Sequence, residues 1–279
     1  MTANTTQRDL PRTAAGTAPG HNTLAGKKIL VIGGGQRVVD SATDPTGNGR
    51  AMSVLAAREG ADVLVADRDL RSAQDTVEII EHADGAAHAV RADVSDPGYA
   101  DNLVHGAIET LGGLDGMVYN VGIGIEALDL AGVEVDDWDR TFAVNVRGAA
   151  LAIKAAVPLM NPGGSIVLIS STAALRSGGR LVAYQASKAA LTGLMRHSAL
   201  EASDRGIRVN IVCPGMVDTP NGRATTAANP NRLDRVATIP LGRMATAWDI
   251  AYAVSFFLSD QSSFVTSQVL AVDGGTTGT

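Results

Sequence analysis

Cysteine is almost absent from this chain. Cys213 stands alone among 279 residues, so no internal disulfide bond can form. A chain without disulfides is typical of a reducing compartment, and the apolar neighbours of Cys213 indicate a buried structural thiol. We therefore expect a cytoplasmic protein.

Several other features are missing, and each excludes a class of function. Lysine and arginine form no basic stripe, and the net charge is −6, which argues against a nucleic-acid or anionic-membrane surface. No apolar run approaches membrane-spanning length, and the N-terminus has no signal-peptide core. The histidines show no metal-ligand spacing, so no metal site is expected. The sequence thus predicts a soluble protein without nucleic-acid or membrane partners.

Residues 1–22 have no periodic apolar pattern and are rich in small and polar residues. This composition predicts a flexible N-terminal tail outside the fold. The rest of the chain, residues 23–279, is expected to form a single domain.

From residue 27 onward, short β-rich apolar runs alternate with longer helix-like segments. Most of the runs are continuously apolar, as in strands that are covered on both faces. The alternation predicts an α/β fold, a doubly wound parallel seven-stranded sheet with helices on both faces (the Rossmann fold). The predicted strands are 28–32, 62–66, 87–91, 116–120, 165–170, 208–212 and 269–272, and the longest predicted helices are 137–160 and 182–202. Ligands of such sheets bind at the carboxyl ends of the strands.

A glycine-rich loop follows the first predicted strand. It contains Gly33, Gly34 and Gly35, and then Gly47, Asn48 and Gly49 at the start of the next helix. Glycine lets the backbone approach a pyrophosphate, and a helix N-terminus offers N–H donors to it. Asp67 follows the second strand about 20 residues after Gly47, the spacing of an acid that binds the adenosine ribose. This favours NAD over NADP, although Arg68 could still accommodate a 2′-phosphate.

Residues 36–46 enlarge this loop. The spacing to Asp67 fits a helix that begins near Gly47 rather than near Gly33, so the residues between are an insertion. We hypothesise that the insertion folds over the cofactor or the rim of the active site. The alternative is a solvated bulge without consequence.

Hydroxyl groups end the fifth predicted strand, at Ser170 and Ser171, and Tyr184 and Lys188 follow on a predicted helix. Residues at i and i+4 share one helical face, so the ammonium group can lie near the phenol. An unperturbed phenol, with a pKa of about 10, is a poor base at neutral pH. A neighbouring ammonium and a positively charged nicotinamide would lower this pKa.

These motifs resemble the short-chain dehydrogenase/reductase family over residues 24–275. The matching motifs come in the family's order: the glycine loop, Asp93-Val94, Asn120-Val121-Gly122, Asn145, Ser171, Tyr184, Lys188, the segment 210–219, and Asp273-Gly274-Gly275. The chain departs from the family's usual pattern at Ile32, where threonine is usual, and at Tyr119-Asn120-Val121-Gly122 in place of Asn-Asn-Ala-Gly. A hydroxyl that helps to brace the fourth-strand turn is therefore missing.

The resemblance implies a catalytic set. Tyr184 would act as general acid/base, and Ser171, rather than Ser170, would hydrogen-bond and polarise the substrate oxygen. Lys188 would lower the pKa of Tyr184 and hold the nicotinamide ribose. Asn145 would anchor a water that passes protons toward solvent.

The resemblance also implies a cofactor set. Asp93 and Val94 would face the adenine, and Asn120 and Gly122 the adenosine side and ribose. The nicotinamide would be cradled by Pro214, Gly215, Val217 and Thr219. The remaining expected cofactor contacts are Gly33, Gly35, Gly47, Asn48, Gly49, Asp67, Arg68, Tyr184 and Lys188.

The predicted function is NAD-dependent hydride transfer between a secondary alcohol and its ketone. Asp67 favours NAD, and with it the direction of alcohol oxidation. One alternative is reduction of a 3-oxoacyl thioester in lipid or polyketide synthesis, which would suit an NADP-type pocket and a basic docking patch. Another is a non-catalytic NAD-binding sensor, against which the intact acid/base set argues. The substrate, a small alcohol or ketone, would be contacted by the loop at about 215–246. By resemblance, the protein is expected to be a homo-oligomer, a tetramer or a dimer.

Overall fold

A seven-stranded parallel sheet forms the centre of the molecule. The computed structural model describes residues 10–37, 43–127, 129–176, 181–226 and 236–278. In chain order the strands are β1 (Lys28–Ile32), β2 (Asp62–Asp67), β3 (Ala86–Arg91), β4 (Gly116–Tyr119), β5 (Ser165–Ile169), β6 (Arg208–Pro214), β7 (Val217–Asp218), β8 (Ala245–Thr246) and β9 (Val269–Val272). The main sheet has the order β3-β2-β1-β4-β5-β6-β9, while β7 and β8 form a separate parallel pair. The predicted fold class is confirmed.

Helices cover both faces of the sheet, because successive residues of each strand point to opposite faces. Leu30 and Leu64 pack with one set of helices, whereas Ile29 and Val63 pack with the other. The helices are α1 (Asn48–Arg58), α2 (Leu70–Glu81), α3 (Tyr99–Leu111), α4 (Val135–Phe142), α5 (Gly148–Ala156), α6 (Val182–Glu201), α7 (Pro220–Thr226) and α8 (Ala247–Leu258). In the described part of the chain, no helix is long and apolar enough to cross a membrane.

The chain reverses its winding direction at β1, which lies between β2 and β4. In open α/β sheets the crevice at such a switch point, beyond the carboxyl ends of the strands, is where ligands bind. The turns after β1, β2, β4 and β5 meet at this edge. They carry most of the residues that the sequence singles out.

The helix predicted at 137–160 is not continuous, and this prediction is corrected. A π-helical turn, Ala143–Arg147, separates α4 from α5. The N–H of Gly148 bonds to the carbonyl of Ala143, five residues earlier, where an α-helix would use the fourth. Nothing in the local sequence pattern marks this turn, because it is held by contacts with distant residues described below.

The prediction of a flexible tail is wrong for residues 10–22, which pack on the domain, while residues 1–9 lie outside the description. Arg58 of α1 donates a hydrogen bond to the carbonyl of Gly16 (2.9 Å), and its guanidinium lies 5.1 Å from the centre of the Trp248 ring. The hydroxyl of Thr246 donates to the carbonyl of Ala14 (2.7 Å). Small residues let this irregular segment approach the helices closely, so it gives no periodic signal.

Two glycines with the same backbone conformation test how the N-terminal segment is held. Gly16 and Gly26 both have φ of +73°, but a Cβ on Gly16 would lie 2.2 Å from the Trp248 ring, whereas one on Gly26 would meet open space. We expect Gly26→Ala to lower the free energy of unfolding by about 1 kcal/mol, from the positive φ alone. Gly16→Ala should lower the free energy of unfolding by roughly 1–3 kcal/mol more than Gly26→Ala does, because the Trp248 ring must move.

Urea unfolding measures the two costs, and limited trypsin digestion at Arg12 reports whether the segment has detached. Equal costs for the two variants, with equal rates of cleavage, would show that the packing on Trp248 contributes nothing.

Candidate active site

The glycine loop and the turn after β4 meet with almost no side-chain volume between them. Gly33 has φ of +81°, and its carbonyl accepts a hydrogen bond from the side-chain amide of Asn120 (2.8 Å). A Cβ on Gly49 would lie 1.9 Å from the Gly33 carbonyl oxygen. The Asn120 carboxamide therefore braces the turn after β4 against the glycine loop.

The N-terminus of α1 is open toward the same crevice. The helix begins at Asn48, as the spacing to Asp67 predicts, and Gly47 precedes it in an extended conformation. Among the described residues no side chain caps this helix end, and its first turn contains no acid. The buried Oδ1 of Asn48 has no hydrogen-bond partner among the described residues. Backbone N–H groups at a bare helix N-terminus form a site that suits a phosphate.

Asp67, at the end of β2, is held against the glycine loop. One carboxylate oxygen accepts from the N–H of Gly35 (3.1 Å), and the other accepts from the N–H of Asp69 (3.1 Å). Each oxygen keeps a further lone pair for an outside donor. Arg68 beside it is exposed, and its carbonyl accepts from the side chain of Arg91 (3.3 Å).

The enlarged loop is tied at both ends. The side-chain oxygen of Gln36 accepts from the N–H of Gly47 (2.7 Å), which joins the first residue of the insertion to the residue that follows it. Arg223 of α7 donates to the carbonyl of Thr43 (3.0 Å) and forms a bidentate ion pair with Asp218 (2.7 Å for each bond). The insertion therefore contacts the segment that follows β6; its residues 38–42 lie outside the described ranges.

Asp93 and Val94 follow β3 and point in different directions. Asp93 is exposed, and its carboxylate accepts from the hydroxyl (2.7 Å) and N–H (3.0 Å) of Ser95. These bonds lower the pKa of Asp93. Val94 is 5% exposed, and its side chain packs in the core near Gly148. An adenine in this position would thus meet Asp93 or the backbone of Val94, not its side chain.

Lys188 of α6 lies between the carboxyl ends of β4 and β5. Its ammonium group donates to the carbonyls of Ile169 (2.8 Å) and Val121 (3.5 Å), and it is 5.7 Å from the centre of the Tyr184 ring. A Cβ on Gly122 would come within 2.7 Å of the ammonium nitrogen. Gly122 therefore leaves the space in which the ammonium sits.

The two serines after β5 are distinguished by their partners. Ser170 is 3% exposed, and its hydroxyl donates to the carbonyl of Lys188 (2.9 Å). The side chain of Ser171 instead lies close enough to the phenol of Tyr184 to lower the pKa of that phenol, and it accepts from the N–H of Ala173 (3.1 Å). The geometry brings Ser171, not Ser170, to the tyrosine.

Burial dominates the protonation of this cluster. Desolvation raises the pKa of Tyr184, and the nearby Ser171 side chain offsets only part of this rise. The net direction is opposite to the lowering that the sequence predicts from Lys188. Desolvation also lowers the pKa of Lys188 to about 8, so the group is still mainly charged at neutral pH. Cys213, 1% exposed, has a pKa raised by burial, as suits a structural thiol.

Asn145 is fully buried in the π-helical turn, and its side chain joins this turn to the segment after β4 and to α6. Its carboxamide oxygen accepts from the N–H of Ile123 (2.8 Å), while its amino group donates to the Ile123 carbonyl and to the Ser187 hydroxyl (2.9 Å each). The Ser187 hydroxyl in turn donates to the carbonyl of Tyr184 (2.7 Å). The water-anchoring role of Asn145 stays a prediction.

The segment after β6 packs against the end of the chain. A Cβ on Gly215 would lie 2.6 Å from the Cβ of Asp273, whose carboxylate accepts from the N–H groups of Gly275 (2.9 Å) and Thr277 (2.7 Å). The hydroxyl of Thr219 accepts from the N–H of Gly222 (3.1 Å). The pair of strands β7 and β8 joins this segment to the end of the predicted substrate loop. The expected contacts Pro214 and Val217 lie within the same stretch.

Comparisons with known proteins agree with this geometry. Residues 42–277 match a family model described as enoyl-(acyl carrier protein) reductase. A short-chain dehydrogenase/reductase from Serratia marcescens superposes with a TM-score of 0.82 at 32% identity, over 91% of this chain and 99% of that one. The chain belongs to the short-chain dehydrogenase/reductase family.

Two curated relatives in this family are dehydrogenases. The chain is 38% identical to 2-(S)-hydroxypropyl-CoM dehydrogenase 3 of Xanthobacter autotrophicus, over 92% of this chain and 98% of that protein. It is also 38% identical to L-rhamnose 1-dehydrogenase (NAD(P)(+)) of a Sphingomonas species, over 90% and 96%. The chain is thus an oxidoreductase of the short-chain dehydrogenase/reductase type.

Three residues of this short-chain dehydrogenase/reductase site escape the sequence reasoning. Gln36 and Arg223 act through single contacts with the enlarged loop, and Ser187 acts through the carboxamide of Asn145. None of them belongs to a motif with a fixed spacing. Ser187 lies one residue before Lys188, and this is the only signal that could have drawn attention to it.

The buried ammonium predicts a pH dependence of stability. Lys188 has a folded pKa of about 8 against an ordinary 10.5, so between these values the unfolded chain binds more protons than the folded protein. The stability contributed by this residue therefore rises with pH across the window. Relative to Lys188→Met, the wild-type protein should gain on the order of 2–3 kcal/mol from pH 8 to 10.5.

Urea unfolding of both proteins without cofactor, at half-unit steps of pH, measures the difference between the two curves. Subtracting one curve from the other removes the effect of tyrosine ionisation on stability, because both proteins have the same tyrosines. Parallel curves over this window would contradict a lowered pKa of Lys188.

Proposed function

We propose that this protein is an NAD-dependent oxidoreductase that transfers a hydride between a secondary alcohol and the corresponding ketone. The observation that carries the proposal is the cluster of Ser171, Tyr184 and Lys188. The serine side chain lies beside the phenol, and the ammonium is fixed between the ends of two central strands. Such a set is what an acid/base step on an oxygen atom requires.

The crevice beside this cluster has the features of a dinucleotide site. The bare N-terminus of α1 and the close approach of Gly33 and Gly49 suit a pyrophosphate. The Asp67 carboxylate at the end of β2 suits two ribose hydroxyls and repels a 2′-phosphate, which supports NAD over NADP. The related L-rhamnose 1-dehydrogenase, by its name, uses NAD(P)+. In this proposal Asp93, Asn120, Gly122 and Thr219 contact the cofactor in the same crevice.

The roles of the chain's own groups follow from their environment. The hydroxyl of Ser171 holds and polarises the substrate oxygen, and the phenol of Tyr184 takes up or returns the proton on that oxygen. A bound nicotinamide would supply the hydride acceptor or donor, and in its oxidised form its positive charge would lower the phenol's pKa. The Lys188 ammonium, largely charged at neutral pH, acts in the same direction. These two charges counter the desolvation that raises the pKa of the phenol.

An alcohol or ketone substrate is supported by the names of the two dehydrogenase relatives, whose substrates carry hydroxyl groups. The matching family model is described by a reductase of acyl-carrier-protein substrates, so a thioester reductase is the alternative within the family. Asp67 favours the alcohol dehydrogenase, because it disfavours an NADP-type pocket. By the family resemblance, the helical segments within 137–160 and 182–202 would carry the contacts of a homo-oligomer.

A phenylalanine substitution tests the acid/base assignment. Tyr184→Phe removes the proton-carrying hydroxyl, so turnover should fall by about 10² to 10⁴ while NAD still binds. The measurement is nicotinamide absorbance with a panel of secondary alcohols and ketones, each with NAD and NADP, together with NAD titration by calorimetry.

Tyr252→Phe is the matched control, because this half-buried phenol lies on α8 and its hydroxyl has no partner among the described residues. The Tyr252→Phe variant should turn over its substrate at the wild-type rate. Full activity of Tyr184→Phe, or a higher kcat/KM with NADP than with NAD, would contradict the assignment of the base or of the cofactor.

A second substitution tests whether the enlarged loop lies along the cofactor. Arg223→Gln removes the bond to the Thr43 carbonyl and the ion pair with Asp218, so the loop loses its tie to α7. If the loop covers bound NAD, we expect the Kd for NAD to rise about tenfold, mainly through faster dissociation. Stopped-flow displacement of NAD measures that rate.

Arg243→Gln is the control. It breaks a bidentate ion pair of the same kind, with Asp249, at the far end of the predicted substrate loop. Its NAD dissociation rate should stay at the wild-type value. An unchanged rate in Arg223→Gln, or an equal rise in both variants, argues for a solvated bulge.

A further inference from the structure

Two buried phenols hold the helix that carries Asn145. The hydroxyl of Tyr119, the last residue of β4, donates to the carbonyl of Val144 (2.5 Å). The hydroxyl of Tyr99, the first residue of α3, donates to the carbonyl of Gly148 (2.7 Å). Desolvation raises the pKa of both phenols, so each remains a neutral donor across the physiological range.

The carbonyl bound by Tyr119 belongs to the π-helical turn. A π turn is rare, and surrounding contacts have to compensate for its wider hydrogen-bonding pattern. Tyr119 supplies such a contact from outside the helix, and the chain makes room for it at Gly148. A Cβ at that position would lie 2.3 Å from the Tyr119 hydroxyl oxygen. The phenol, the glycine and the π turn therefore depend on one another.

The π turn sets the direction in which Asn145 faces. Its carboxamide reaches the backbone of Ile123 and the hydroxyl of Ser187 at 2.8–2.9 Å, so it tolerates little rotation. If the turn relaxed to an α-helix, Asn145 would rotate about the helix axis and lose these bonds. Ser187 would then lose a donor while it holds the carbonyl of Tyr184.

We propose that Tyr119 is a positioning residue for the acid/base site. Its hydroxyl holds the π turn at Val144 and thereby fixes Asn145 between the β4 turn and the helix that carries Tyr184. The proposal rests on the proposed function, because it assigns a positioning role for that same site. It concerns the position at which this chain has tyrosine where the family usually has asparagine.

The test is Tyr119→Phe, which keeps the buried ring and removes only the hydroxyl. We expect kcat to fall about tenfold, the size of effect that a small displacement of a catalytic group produces. The limb of the kcat–pH profile that reports Tyr184, which is the acidic limb for alcohol oxidation, should shift because the surroundings of Tyr184 change. The Kd for NAD should stay within about twofold of wild type.

Tyr99→Phe is the matched control. This substitution also removes a phenol hydroxyl that donates to the helix after β4. The acceptor of Tyr99, however, is the carbonyl of Gly148, which lies in the regular α-helix after the π turn. This variant should lose stability and keep the wild-type kcat and pH profile. Equal effects of the two substitutions, or an unchanged profile in Tyr119→Phe, would overturn the proposal. If Tyr119→Phe fails to fold, Gly148→Ala displaces the hydroxyl with the tyrosine retained, and should shift the profile in the same way.

A readout without turnover separates this proposal from the proposed function. Hydrogen exchange of the peptide that spans 135–156 should quicken in Tyr119→Phe and not in Tyr99→Phe. The side-chain amide signal of Asn145 in a nitrogen-15 NMR spectrum should move in the same variant alone. If the wild-type protein turns over no alcohol or ketone, the proposed function fails, and these two measurements still decide whether Tyr119 positions Asn145.

Discussion

A buried ammonium group joins the two central strands of the sheet to the helix beside them. Lys188 is 3% exposed, and it donates to the carbonyl at the end of β5 and to the turn after β4. Burial of a cation is costly, and the lowered pKa of this residue reflects that cost. The surrounding structure fixes the group all the same, with Gly122 providing its space and the Ser170 hydroxyl bonded to its own backbone carbonyl. The positions of Tyr184 and Ser171 depend on this arrangement.

The same edge of the sheet shows how close the backbones must come. Gly33, Gly49 and Asn120 bring the loop after β1, the start of α1 and the turn after β4 into direct contact. A side chain at either glycine would force these elements apart and would close the helix N-terminus that faces the crevice. The crevice thus exists because three turns pack on backbone atoms, while the apolar strands behind them hold the turns in register.

Much of the fold could be predicted from the sequence because its strongest signals are local. Continuous apolar runs give the seven strands of the main sheet to within about two residues at each end, since a strand covered on both faces needs no alternation. The helix start at Asn48 follows from its distance to Asp67. The interruption of the helix at Ala143–Arg147 and the packing of residues 10–22 could not be predicted. Both are decided by partners distant in sequence, such as Tyr119 for the first and Trp248 for the second.

The class of sheet, the family, and the residue types that gather at the carboxyl ends of the strands are all evident in the sequence. Those features follow from hydrophobic runs and from motifs of fixed spacing, which are complete within short stretches of chain. The tertiary structure, by contrast, raises the pKa of the Tyr184 phenol where a lowering was expected. It also decided that the enlarged loop reaches Arg223. Desolvation and single hydrogen bonds between remote segments depend on three-dimensional packing, and they leave no periodic trace in a sequence.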